Sequence, residues 1–138
     1  GRYDEAAASL QEAAEIYPNS ADIWYNLGRI YGLMGRHSQS KQAFGNATRI
    51  SPNDPLLWME LGFAQERCEE EESAAESFQK AANLDPNDEL AQYNLAVALA
   101  RQSRFQEALQ AFERVLEINP RNDLARQSIN MTLSKMNG

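Results

Sequence analysis

The chain has 138 residues, 43% of them apolar and 24% charged, a balance that supports a folded core and is too mixed for a disordered tail. Its net charge of −7, from 13 Lys and Arg against 20 Asp and Glu, argues against nucleic acid as the main partner, because phosphate binding needs a basic face. One cysteine, Cys68, excludes an intrachain disulfide, one histidine, His37, excludes a His-rich metal site, and no apolar stretch approaches the roughly 18–20 residues of a membrane span, so membrane insertion is not expected.

Pro18, Pro52, Pro86 and Pro120 lie at intervals of 34 residues, and the apolar pattern obeys the same step. Taken in chain order, residues 1–19 open with Gly1-Arg2-Tyr3-Asp4-Glu5-Ala6, which matches Ser103-Arg104-Phe105-Gln106-Glu107-Ala108. They therefore read as the turn and second helix of a unit whose first helix is missing, and the chain as a fragment of a longer array or a segment excised from one. In residues 20–53, Trp24, Leu27, Gly28 and Tyr31 form one helical stripe. After a break near Gly35-Arg36, Ser40, Phe44 and Ala47 form a second. Residues 54–87 repeat this with Trp58, Leu61, Gly62, then Ala74, Phe78 and Ala81. Residues 88–121 are weaker at their start, with Gln92, Leu95, Ala96 and Leu99, and regain Ala108 and Phe112. Residues 122–138 predict a first helix with no second; Arg126 stands where two units place Trp, and Asn130 where others place Gly or Ala, which a polar capping helix explains, as does a merely divergent repeat.

Each proline ends a second helix, since it cannot continue the hydrogen-bond ladder. Ser20, Asp54, Asp88 and Asn122, two residues later, are placed to accept the free N–H groups of the next helix. Pro55 then falls at a first helical position, where its missing N–H costs nothing. Gly28, Gly62 and Ala96 are small so that the two helices of a unit can approach closely.

Trp24-x-x-Leu27-Gly28-x-x-Tyr31, followed by Ser40, Phe44, Ala47 and Pro52, resembles the tetratricopeptide repeat, and the likeness recurs through Pro86 and Pro120. The resemblance implies an all-α, right-handed solenoid of antiparallel helix pairs, eight helices forming one domain. Its first helices would line a concave groove, and its function would be non-catalytic recognition of a peptide or helix of a partner protein. Carried over residue by residue, the partner-binding groove comprises Tyr25, Asn26, Arg29, Met59, Glu60, Phe63, Arg67, Tyr93, Asn94, Val97 and Arg101. Asp22, Leu33, Leu56, Leu90, Gln127, Ser128 and Met131 extend it. An apolar strip edged by Asn and Arg suits a peptide, because aromatic and Met surfaces supply desolvation energy while the polar groups fix main chain or carboxylate.

Two specificities known in the family can be set against these residues. The carboxylate clamp of chaperone co-factors corresponds here to Tyr25, Arg29, Glu60, Leu90 and Asn94, and Glu60 would repel a carboxylate. Asn26 and Asn94 are similar to rungs of the asparagine ladder of O-linked N-acetylglucosamine transferase, with Glu60 between them and Ser128 following. Two other readings stay open: a substrate-recruiting or regulatory segment of a larger enzyme such as a glycosyltransferase, and a scaffold assembled head to tail through its unpaired end helices.

No catalytic constellation, cofactor or metal site is expected. His37 stands where other units carry Tyr3 and Phe105, so it reads as a packing residue, and Cys68 as a half-buried thiol near the end of a first helix. No phosphate-cradling glycine loop, zinc spacing or nucleophile motif is present. Asn46-Ala47-Thr48 and Asn130-Met131-Thr132 match the glycosylation triplet but fall on predicted helices. Charge is concentrated in residues 54–89, which carry −9, and the run Glu69-Glu70-Glu71-Glu72 replaces both a turn glycine and a packing aromatic. That turn is expected to be weaker than its neighbours. A solvated acidic turn explains it, as does docking of a basic segment or a divalent cation.

Overall fold

The computed structural model describes residues 1–138 as eight α-helices and no strand, about 80% of the chain. They are α1 (Arg2–Ile16), α2 (Ala21–Leu33), α3 (His37–Ile50), α4 (Pro55–Arg67), α5 (Glu71–Leu84), α6 (Glu89–Arg101), α7 (Phe105–Ile118) and α8 (Asp123–Asn137). The chain forms two compact units, residues 1–70 and 71–138, and the boundary falls inside the Glu69–Glu72 run.

In the first unit each helix packs on the next, α1 on α2, α2 on α3 and α3 on α4. Leu27, Tyr31 and Ala43 form one buried cluster, edged by Leu10, Trp24, Ile30 and Met34. Phe44, Leu61 and Ala64 form another, edged by Tyr25 and Trp58. The close approach of α2 and α3 rests on Gly28: a Cβ there would lie 2.8 Å from the Phe44 ring. Ser40 Oγ then donates to the Gly28 carbonyl at 2.7 Å in a buried bond across the same contact. The second unit repeats the succession with α5 on α6, α6 on α7 and α7 on α8. Phe78, Phe112 and Val115 are its largest fully buried side chains.

The caps largely follow the sequence. Asp54 accepts from the Leu56 N–H at 3.0 Å, Asp88 from Leu90 and Ala91 at 3.0 and 3.3 Å, and Asn122 from Ala125 at 2.9 Å. Ser20 departs from expectation: its backbone has the extended cap conformation, yet its hydroxyl makes no cap bond. Pro55 is at the start of α4.

The Gln92 and Arg126 positions receive a different explanation from the one their sequence suggests. Trp24 Nε1 donates to the Pro18 carbonyl at 2.9 Å, and Trp58 Nε1 to the Pro52 carbonyl at 2.7 Å. Gln92 Nε2 reaches the Pro86 carbonyl at 3.3 Å, and Arg126 Nη2 donates to the Pro120 carbonyl. All four are the same bond, 34 residues apart. The repeat keeps an N–H donor at this place and lets the ring go, so Gln92 is no defect and Arg126 is more than a wet cap.

The three turns between paired helices also share a backbone shape. Gly35, Glu69 and Ser103 all have positive φ, 73°, 61° and 60°. Glycine takes that conformation freely, whereas a Cβ makes it costly. Two residues later, at the first position of α3 and of α5, a polar group stands in the place that Phe105 takes in α7. His37 Nδ1 and Glu71 Oε2 are both buried without a hydrogen-bond partner.

Candidate functional site

In the first unit a cleft of about 420 Å³ opens between α2 and α4, floored by Gly28 and Gly32 of α2 and by Ser40 and Phe44 of α3. Arg29 and Leu33 form one wall; Glu60, Phe63, Ala64 and Arg67 form the other. The structure therefore brings four predicted site residues, Arg29, Glu60, Phe63 and Arg67, around one opening, together with Leu33 of the predicted extension, which is 61% exposed. Helical spacing explains the grouping: Glu60, Phe63 and Arg67 are one turn apart along α4, as are Arg29 and Leu33 along α2.

Electrostatics at the opening are unequal. Glu60 is half-buried, and loss of hydration raises its carboxyl above the ordinary value, while the Arg29 guanidinium opposes that rise. Arg29 is itself held over the Tyr25 ring, 5.8 Å from its centroid, in cation–π range. Tyr25 does not line the cleft. Its ring is tilted against Phe44 at a centroid distance of 6.0 Å, so it packs on a floor residue while carrying the Arg29 guanidinium over its face. Asn26 is exposed on α2, outside the lining. Met59 must be withdrawn from the surface: it is 5% exposed and belongs to the core, because α4 is apolar around most of its circumference.

In the second unit Tyr93, Asn94, Val97 and Arg101 lie along one side of α6, at the spacing of a helical face. Tyr93 meets Phe112 edge-on at 5.8 Å, the 68-residue counterpart of the Tyr25–Phe44 pair. Tyr93, Asn94 and Val97 are half-buried and Arg101 is exposed. The Asn94 Nδ2 atom is buried and makes no hydrogen bond, an amide donor without a partner in the free chain. Leu90 at the start of α6, and Leu124, Gln127 and Met131 on α8, are exposed.

Sequence reasoning missed the contribution of the second helices to this face. Ser40 and Phe44 were legible as packing residues, but Gly28 and Gly32 lower the α2 wall enough for both to show at the base of the cleft. Elsewhere, Lys41 Nζ donates to Glu70 at 2.7 Å, and that bond raises the lysine pKa. One carboxylate of the acidic run is thus already paired. No three His, Cys, Asp or Glu side chains converge as a metal site would require. Asn46 and Asn130 lie inside α3 and α8, and no helix is long and apolar enough to cross a membrane.

Comparison with known proteins agrees with this architecture. Family models described as tetratricopeptide repeat match residues 1–62, 56–88 and 90–122. No curated protein matches the sequence. Among solved structures, MamA superposes with a TM-score of 0.90 at 21% identity over 98% of this chain and 79% of its own. YrrB, a TPR protein with an unusual peptide-binding site, gives 0.89 at 25% identity, covering 99% and 70%. The first TPR of Spaghetti (RPAP3), bound to the HSP90 peptide SRMEEVD, gives 0.78 at 20% identity, covering 86% and 94%.

Proposed function

The chain belongs to the tetratricopeptide repeat family, and from that premise we propose that it is a non-catalytic interaction module that holds a peptide of a partner protein against its first helices. The observation that carries the reading is the α2–α4 cleft, where Arg29, Glu60, Phe63 and Arg67 surround an opening over the Phe44 ring. Arg29 and Arg67 are exposed and do no packing that the fold requires. Phe63 and the floor supply apolar area, and the two guanidiniums supply donors for main-chain carbonyls or an acidic side chain. Glu60 supports discrimination, because a carboxylate placed against it meets repulsion. Tyr93, Asn94, Val97 and Arg101 offer the corresponding surface on α6. No residue is assigned a catalytic role.

Selection from a random peptide library tests this, with counter-selection on the Arg29→Ala/Arg67→Ala variant, whose two exposed sites leave the core intact. A shared motif bound by the parent alone supports the reading. Binding that is indifferent to the variant removes this cleft from it. A second reading, self-association, rests on a separate observation: Leu124, Met131, Leu133 and Met136 of α8 are 41–61% exposed. Sedimentation equilibrium should then show mass rising with concentration in the parent and not in Leu124→Glu/Met131→Glu. A concentration-independent mass in the parent excludes it.

A further inference from the structure

The first unit carries a second cleft, of about 440 Å³, between α1 and α3 and floored by α2. It lies within the roughly 300–1,000 Å³ range of ligand pockets. Its floor is Trp24, Leu27, Tyr31 and Ala43, all buried or half-buried. Its rim is unusual in composition: four carboxamides, Gln11, Gln39, Gln42 and Asn46, and a single charged group, Glu15.

The side chains of Gln39, Gln42 and Glu15 are exposed and make no hydrogen bond within the chain. Gln11 donates to the Tyr31 hydroxyl, which leaves the phenol proton available to an acceptor. Arg49 takes the Asn46 carbonyl oxygen from outside the lining, leaving the amide N–H₂ as its donor. A primary carboxamide presents the same donor and acceptor pair as a peptide group. The spacing is also suitable. From Gln39 to Asn46 the helix rises about 10 Å, the length of about three residues of extended chain at ~3.3 Å each. Gln42 and Asn46, one turn apart, are separated by about 6 Å along the axis. That is close to the ~6.6 Å between strand residues whose main-chain groups point the same way. With no cation in the lining, an anionic ligand would face Glu15 uncompensated.

The second unit provides an internal comparison. A cleft of about 360 Å³ there uses the same repeat positions, with Gln79, Asn83, Leu95 and Leu99 for Gln11, Glu15, Leu27 and Tyr31. In it Gln79 donates to Asn83 at 2.9 Å, and two cationic residues, Lys80 and Arg104, enter the lining. The repeat alone therefore produces an opening; unpaired carboxamides with one carboxylate are particular to the first unit.

We propose that the α1–α3 cleft binds an extended peptide strand of about three residues by its main chain, with a lysine or arginine side chain set against Glu15. The test follows the side-chain amide signals of Gln39, Gln42 and Asn46 by ¹⁵N-edited NMR in the 138-residue chain. The probes are acetylated, amidated pentapeptides of sequence Ser-Thr-X-Thr-Ser with X as Lys or Glu, and cellopentaose. The Lys probe should shift all three signals saturably and bind at least about tenfold more tightly than the Glu probe. Glu15→Gln should abolish that preference. Gln39→Ala/Gln42→Ala should weaken the Lys probe about tenfold while the urea-unfolding midpoint stays unchanged. No shift by either peptide, equal affinity for both, saturation by cellopentaose alone, or shifts confined to Arg29, Phe63 and Arg67 would each overturn the proposal.

Discussion

Gly28 leaves no room for a side chain, since an added methyl would press on a Phe44 ring that is itself 3% exposed. Gly28→Ala should therefore lose about 1–3 kcal/mol of stability by overpacking. Gly45, inside α3, meets nothing within 4 Å of an added Cβ, and Gly45→Ala should gain about 0.5–1 kcal/mol. Urea unfolding of the two variants reads both signs. Glu60 belongs to the same scale. Its carboxyl is raised on folding, so the folded chain holds that proton to higher pH than the unfolded chain does. Stability is then lost as pH rises from the unfolded value to the raised one. Glu60→Gln removes the loss: it should raise the thermal midpoint at about pH 7 and leave it nearly unchanged at about pH 3, where the carboxyl is protonated in both states. An equal rise at both pH values would mean that packing, not ionisation, is responsible.

At the scale of the element, the bond from each first helix back to the preceding proline carbonyl fixes how the chain enters that helix. Gln92→Leu keeps the volume and deletes the donor, leaving the Pro86 carbonyl without it, at a cost of about 1 kcal/mol in a urea titration. Gln92→Trp should match the parent. These four positions also mark how far the sequence could be read. The 34-residue step, the small residue at Gly28 and the stop at each proline were all legible, because apolar periodicity and proline chemistry are local and act through residue type. The equivalence of Trp, Gln and Arg was not, because it depends on where an N–H reaches in space rather than on hydrophobicity. Met59 was misplaced for a related reason: its position off the main packing stripe of α4 says nothing of the neighbours that close over it. Arg29, Glu60, Phe63 and Arg67 were legible through the resemblance, which assigns the groove to the first helices, whereas the floor they share with Ser40 and Phe44 required the packing of α2 on α3.

Across the whole molecule, stability in a repeat protein is close to a sum of units and their interfaces, so one poor turn has a visible effect. Glu69 holds a left-handed conformation that Gly35 adopts freely, and beside it the Glu71 Oε2 atom is buried unpaired. Native-state amide exchange should find the end of α4 and the start of α5 opening more readily than α2 and α3, by about 1–2 kcal/mol. Glu69→Gly should narrow that gap, and uniform protection in the parent would show that the strain is compensated. The proline-bound indoles have one more consequence. Both tryptophans, Trp24 and Trp58, lie in residues 1–70, and residues 71–138 contain none. Intrinsic fluorescence thus reports one unit while circular dichroism sums all eight helices. Superimposable melting curves from the two signals would mean that the units unfold as one cooperative system, and displaced curves would time the two halves separately, with no label attached.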